Sequence, residues 1–319
     1  NDLGIHDRVY SFFIDEAKVG GYIGCFFLIL TGHFLNICEL KSNKWKYIII
    51  IISLIFLISI IITGERSSGI RAIIAFFIFF IICRSFSKKE KILSFGLVFL
   101  IFAGLYLNSN FMKYRYGQTI FEKLYTISHV VDYFKKTNYK LSNDESPTNF
   151  TKEEFDKFQY AIGSNYFELY ISSLKVFVNY PIFGVGNKNY RVVTCTKYAK
   201  DEIGTIYYQF YKSNDSSEPE LYNSHYICNS HPHQIYFEFL AEHGIIGTLI
   251  LLFVFFKLIF YSYKKIISNK NYFQLGALIY IFLVFLPFLP SGSFFNNYVA
   301  TLFWINLSIM LGSTKPENI

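Results

Sequence analysis

The sequence is poor in charge. Asp, Glu, Lys and Arg make up 17% of its 319 residues, where a soluble domain of this size carries about a quarter. A water-facing surface cannot be built from so few, so an ordinary soluble fold is excluded. Internal repeats and coiled-coil heptads are also absent. The five cysteines show no metal-type spacing. Cys25, Cys38 and Cys83 sit in or beside apolar runs, while Cys195 and Cys228 lie in one long polar stretch. The apolar runs lack the polar/apolar alternation of a barrel strand. A formal charge of +7 is no nucleic-acid signature here, because much of the Lys and Arg stands in short runs beside apolar blocks, as membrane orientation requires.

What the chain has instead is apolar mass: 52% hydrophobic and 20% aromatic residues, gathered in blocks without interleaved charge. Seven blocks, at 19–38, 47–63, 70–83, 92–107, 235–260, 272–290 and 294–311, are long enough, or nearly so, to cross a core of about 30 Å at about 1.5 Å per residue. The third is short unless it extends through Ser67 and Ser85. Leu, Ile and Phe dominate, so the expected fold class is an all-α polytopic membrane protein with about seven transmembrane helices. The chain starts at Asn1 with neither Met nor a signal-like n-region, which reads as a fragment with upstream spans missing.

Three connecting loops set the orientation. Lys41, Lys44 and Lys46 occupy one, Arg84, Lys88, Lys89 and Lys91 another, and Lys264, Lys265 and Lys270 a third. Short loops dense in Lys and Arg stay cytoplasmic. The three alternate consistently with seven spans and leave 1–18, 64–69, about 108–232 and 291–296 outside. Three regions result: 1–107, the N-terminal part of the bundle; 108–232, a large periplasmic loop; and 233–319, the C-terminal helices. The loop is too long for an ordinary connector. Its stretch 138–149 is polar and reads as a loop. Residues 162–180 place Phe167, Tyr170, Ile171, Leu174, Phe177 and Val178 at helical spacing, which predicts an amphipathic helix lying on the bundle. Pro181 ends it, and Phe183-Gly-Val-Gly-Asn187 supplies a tight turn.

The stretch from His231 to Gly247 carries three His, two Glu and a Gln where the outside loop re-enters the membrane. Such residues are costly there unless they face a wet cavity, which makes them functional candidates. Glu238 and Glu242 are one helical turn apart and share a face. His233 stands at the outer end of this helix, and a neutral His can take a proton from a sugar hydroxyl near neutral pH. The same residues also suit an interfacial cap without chemistry. Arginines form a second group: Arg66 in an outer loop, Arg71 at the start of the next span, Arg115 just past the fourth span, and Arg191 after the Gly-Val-Gly turn. The planar guanidinium fork suits pyrophosphate. Snorkelling at the interface accounts for any one of them, but outer-face arginines as a group run against the positive-inside bias.

The 231–247 stretch resembles the signature of the O-antigen ligase and polymerase family of membrane glycosyltransferases: a His, then Asn, Ser or Gln, nine residues, Gly, two residues, and Gly, Thr or Tyr. His233, Gln234, Gly244 and Gly247 meet it. Tyr180-Pro-Ile-Phe-Gly-Val-Gly186 resembles the family's Pro-x-x-Gly-x-Gly turn, and Thr63-Gly-Glu-Arg-Ser67 its outer-loop arginine segment. Asp15-Glu16 with Gly20-Gly21 is similar to a Glu before a Gly-containing span in some members. One departure stands out: Ser164-Asn-Tyr166 occupies the place where many members begin the amphipathic helix with Arg.

The resemblance implies a GT-C-like enzyme of the bacterial inner membrane, with its active site facing the periplasm. It implies a donor glycan on undecaprenyl diphosphate, a lipid A-core or glycan acceptor, and neither metal nor nucleotide sugar, hence no cofactor; membrane lipid is the remaining partner, and nucleic acid is not one. Carried over, His233 is the base for the acceptor hydroxyl, with His231 the other candidate. Arg66 and Arg191 clamp the diphosphate, and Arg115 is a weaker third. A ligase is the first expectation, a repeat-unit polymerase the alternative. A transporter predicts charged residues near mid-span and broken helices in both halves, and the spans carry almost no charge.

Loop aromatics Tyr207, Tyr208, Phe210, Tyr211, Tyr222 and Tyr226 suit either stacking on sugars or packing. Cys195 and Cys228 are the only cysteines of the outside loop, and in an oxidising periplasm they are expected to form a disulfide that contributes about 3–4 kcal/mol. His225, Cys228, His231 and His233 fit no standard zinc spacing.

Overall fold

A computed structural model describes residues 9, 18–39, 44–118, 165–195, 229–287 and 289–312. Among them every regular element is helical and no strand occurs. The elements are α1 (Val19–Glu39), α2 (Lys44–Ile62), α3 (Arg66–Ile82), α4 (Lys88–Asn108), α5 (Asn110–Met112) leading into a π-helical segment (Lys113–Gln118), α6 (Asn165–Asn179), α7 (Tyr190–Cys195), α8 (Ile235–Ser268), α9 (Tyr272–Val284) and α10 (Asn297–Leu311).

Each of the seven apolar blocks carries one helix. Four stretches, Val19–Ile37, Trp45–Ile62, Lys88–Asn108 and Ile235–Ser268, are long and apolar enough to cross a membrane, whereas Tyr272–Val284 and Asn297–Leu311 are apolar but shorter. Three boundaries differ from the sequence reading. Helix α3 begins at Arg66 rather than near residue 70, so Arg66 is helical and not in a loop. Helix α9 stops at Val284, ahead of Pro287 and Pro290, which cannot continue it. Phe294 precedes the last helix, which starts at Asn297.

The chain divides into two compact units. The first comprises Asn1–Gln118, Phe253–Leu286 and Asn297–Ile319; the second comprises Thr119–Leu252 and Pro287–Asn296. In the first unit α1 packs closely on α9. The reason is a pair of glycines: a Cβ on Gly32 would run into the Tyr272 carbonyl, and one on Gly276 into the Leu28 carbonyl. Membrane helices associate through such small-residue contacts because lipid supplies no hydrophobic drive between them. Thr31 of α1 and Ser53 of α2 share a hydrogen bond of 3.1 Å, and Asn306 of α10 donates to Cys25 Sγ at 2.9 Å. Helix α4 opens with a reciprocal Ser87–Glu90 capping box. Its Ile92, Leu93, Phe99, Leu100 and Leu107 are all exposed, as fits a helix whose surroundings are lipid.

In the second unit α6 spans the expected region and ends before Pro181. Among its described side chains, however, the buried ones are Leu169, Ser172, Ser173 and Val176. Leu174 and Phe177 of the apolar face are only partly covered, and Val178 is exposed. Two serines therefore point inward. Ser173 donates to the Phe237 carbonyl at 2.8 Å, and Ser172 accepts from the Tyr190 hydroxyl at 3.2 Å. Residues 138–149 and the loop aromatics lie outside the described residues.

Candidate functional site

The site is built where the chain turns into α8. His233 has φ 57°, the left-handed region that non-glycine residues occupy at a cost of about 1–3 kcal/mol. The residues on either side hold it there. Pro232 before it is buried. Gln234 after it caps α8: its side-chain oxygen accepts from Tyr236 N at 2.7 Å and Phe237 N at 3.0 Å, and its amide donates to the Pro287 carbonyl at 3.0 Å. The His233 carbonyl accepts from Ser291 N at 2.9 Å. The His231 and His233 rings lie 4.0 Å apart, and His231 Nδ1 is 2.9 Å from the Ser230 hydroxyl. The two histidines singled out in the sequence thus form one pair.

Glu238 and Glu242 are buried and hold neighbouring backbone in place. Glu238 accepts from Phe294 N at 2.8 Å and from the Ser293 hydroxyl, fastening the 291–296 loop. Glu242 accepts from Lys188 N at 2.8 Å and Tyr190 N at 3.4 Å, fastening the start of α7. Between these two anchors and the rest of the helix, α8 breaks. Gly244 has φ 62° and ψ −170°, a conformation essentially confined to glycine. A break strands backbone groups on both sides, and the turn after α6 takes up four of them. Ile245 N donates to Pro181 O at 2.8 Å and Ile246 N to Ile182 O at 3.3 Å; in return Val185 N donates to Ala241 O at 3.0 Å and Gly186 N to Glu242 O at 2.8 Å. The two glycine-bearing motifs of the sequence are therefore the two halves of one lock.

Arg191 lies in the first turn of α7 and is exposed. This helix is tied toward the histidines through Thr194, which donates to the Asn229 carbonyl at 3.5 Å. Cys195 is disulfide-bonded, and Cys228 lies outside the described residues. His243 packs edge-on to Phe295 with centroids 5.0 Å apart. Its Nε2 and the Ser291 hydroxyl are buried without a hydrogen-bond partner among the described residues.

Arg66 and Arg115 belong to the other unit. Arg115 is buried and gives Nε and Nη2 to the Gly64 carbonyl at 3.0 and 2.7 Å. The neighbouring Tyr116 donates to the Ile61 carbonyl at 3.1 Å. Burial pushes its phenol up, opposed by the Arg115 charge, with Glu65 and Arg66 also within its field. Glu65, which the sequence reading passed over, caps α1 from a distance. Its carboxylate accepts from Gly20 N at 2.7 Å, Gly21 N at 3.1 Å and the Ser68 hydroxyl at 2.9 Å. A carboxylate suits the positive end of a helix dipole. Ser291, Ser293 and the Pro287 carbonyl were likewise missed. They come from a short loop whose sequence offers only Pro and Ser as a hint. Asp15, Glu16 and Ser164 lie outside the described residues. Among those described, no group of three or more His, Cys, Asp or Glu is arranged to hold a metal ion.

A search of curated proteins finds none that matches. The sequence profile of O-antigen ligases matches residues 51–252, a stretch that contains the Thr63–Ser67 segment, the 180–186 turn and all four signature positions from His233 to Gly247. More than half of the chain carries that match, and it takes in both halves of the glycine lock; the chain belongs to the O-antigen ligase family.

Proposed function

We propose that the protein transfers a glycan from undecaprenyl diphosphate to an acceptor hydroxyl at the periplasmic face of the bacterial inner membrane, with His233 as the general base. The observation that carries the reading is the left-handed backbone of His233, held between a buried proline and a helix-capping glutamine. Strain kept by so many constraints points to a side chain whose direction matters. His233 takes the acceptor proton, the acceptor oxygen bonds to the anomeric carbon, and the bond from that carbon to the diphosphate oxygen breaks with its electrons on the leaving group. Exposed Arg191 and helix-starting Arg66 stabilise the charge that develops there. Arg115, already engaged with Gly64, contributes less. The reaction in this reading needs no metal or nucleotide sugar.

The membrane arrangement that goes with this reading has seven spans, a GT-C-like bundle, and 108–232 outside. The acceptor is the lipid A core, which makes the protein a ligase, because the His-Gln-x9-Gly-x-x-Gly pattern is met in full. The alternative is a polymerase extending repeat units on the same carrier. The test is complementation of a strain lacking the native gene with wild-type protein and His233→Ala. Loss of attached polymer with carrier-linked polymer accumulating supports the ligase. If wild-type protein restores chain length rather than attachment, the polymerase reading replaces it. Glycan unchanged by His233→Ala removes His233 as base and leaves His231.

A further inference from the structure

We propose that the 180–184 turn, with the outward face of the C-terminal part of α6, is a wedge seated in the hydrocarbon of the bilayer and covered by lipid acyl chains. This rests on the membrane-spanning reading of α8 and not on the chemistry assigned to His233.

Three observations carry it. First, the end of α6 and the turn wear large apolar side chains outward: Val178 is 70% exposed, Ile182 54% and Phe183 74%. On α6 the serines, not this apolar edge, point into the protein. Ser172 and Ser173 are buried beside Leu169 and Val176, while Val178 and Phe183 stay outside, so the outward edge is more apolar than a water-facing one needs to be.

Second, this surface continues onto α8. Ile182 bonds through its carbonyl to Ile246 N. From there Ile245, Ile246, Leu249 and Ile250 are also exposed, the last two at 59%. They belong to the outer part of a helix apolar enough to cross the membrane.

Third, the backbone is treated as hydrocarbon demands. Within a bilayer an open N–H or carbonyl costs several kcal/mol, so irregular backbone persists only where protein satisfies it. The break at Gly244 strands groups on both sides: the turn takes up Ile245 N and Ile246 N, and Val185 and Gly186 just past it take up Ala241 O and Glu242 O. Depth agrees. Lys264 and Lys265 mark the inner border of α8. About 20 residues cross the core, and counting back that many from Lys264 reaches Ile245. If Lys257 marks that border instead, Ile245 lies deeper still. Within the segment Asn179 is the exposed polar residue, and past the turn such residues become dense: Asn187, Lys188, Asn189 and Arg191 are all exposed.

The experiment places a nitroxide on Phe183→Cys and on Asn187→Cys. The full protein is reconstituted in phosphatidylethanolamine–phosphatidylglycerol vesicles free of any polyprenyl donor, with signal from the unsubstituted protein subtracted. Collisions with oxygen and with a water-soluble nickel chelate are then compared. At position 183 oxygen access is expected to be high and nickel access low, with the reverse at 187. High nickel access at 183 puts the turn in water and overturns the proposal. Low access to both reagents shows that protein or a second copy covers it, and overturns it equally. Membrane yield gives a second readout: Phe183→Asp lowers folded protein several-fold while Phe183→Leu does not. Equal yields for the two variants would also count against the wedge. Neither readout depends on glycan transfer, so failure here is distinct from failure of the proposed activity.

Discussion

Gly244 of α8 lies against Gly184 of the turn: a Cβ added to Gly244 would stand 2.6 Å from the Gly184 amide nitrogen and closer still to the Ile182 carbonyl. A Cβ on Gly184 would in turn meet the Glu242 and His243 backbone. Neither residue tolerates a side chain, because each would fill space that the facing segment's backbone already occupies.

Gly244→Ala is therefore expected to destabilise the protein by about 1–3 kcal/mol from its backbone conformation, plus about 1–3 kcal/mol from overpacking. Thermal unfolding of detergent-purified protein measures this. Gly96→Ala on α4, with nothing within 4 Å of its added Cβ, serves as the control and leaves stability unchanged or slightly raised.

Gln234 holds the strained residue beside it. Gln234→Ala removes a helix cap worth about 1 kcal/mol together with the tie to Pro287, and attached glycan falls. Gln234→Asn, within the family signature, retains more activity. Equal activity in the Ala variant and wild type would show that His233 does not depend on this cap.

Glu238 offers a direct separation of positioning from proton transfer. Its carboxylate accepts from Phe294 N and Ser293, a role that the amide oxygen of a glutamine at this position can partly fill. Glu238→Gln is expected to keep most glycan transfer. Glu238→Ala strands the buried Phe294 N–H at a cost of about 1–3 kcal/mol. A Glu238→Gln variant that is stably folded yet as inactive as His233→Ala would assign the carboxylate to the chemistry.

The arginines are expected to divide by assay. Arg115→Lys cannot reproduce two N–H groups on one carbonyl, and lowers stability by about 1.5–3 kcal/mol, the range for hydrogen bonds to charged groups. Arg191→Ala, at an exposed position, leaves the unfolding temperature in place and reduces transfer. If both variants shift stability and neither shifts transfer, the clamp assignment fails.

Cys195 is disulfide-bonded, and the proposed partner is Cys228. Cys195→Ser and Cys228→Ser are then expected to give the same electrophoretic shift without reductant and the same loss, about 3–4 kcal/mol. Different shifts for the two would point to another pairing.

How much of this was legible beforehand varies with the range of the interaction. Helix α6 stops where Pro181 predicted, because proline acts on its own turn. The start of α8 at His233-Gln234 was marked by its signature. That Glu238 and Glu242 would bind backbone 50 or more residues away had no mark in the sequence, since a carboxylate one turn from another reads equally as a catalytic pair. Glu65 was passed over for the same reason: its partners Gly20 and Gly21 come from another helix.

Composition and the length of the apolar runs determined that the apolar blocks are helical and belong in a membrane, because transfer of apolar residues out of water depends on their number and run length and not on their neighbours. They could not say which way an apolar face turns. Lipid is as apolar as a protein core, so the periodicity of α6 looks the same whether Val178 packs on the bundle or faces outward. Only the tertiary structure decided this, by turning inward, beside Leu169 and Val176, Ser172 and Ser173, whose hydrogen bonds to Tyr190 and Phe237 need protein partners that acyl chains cannot supply.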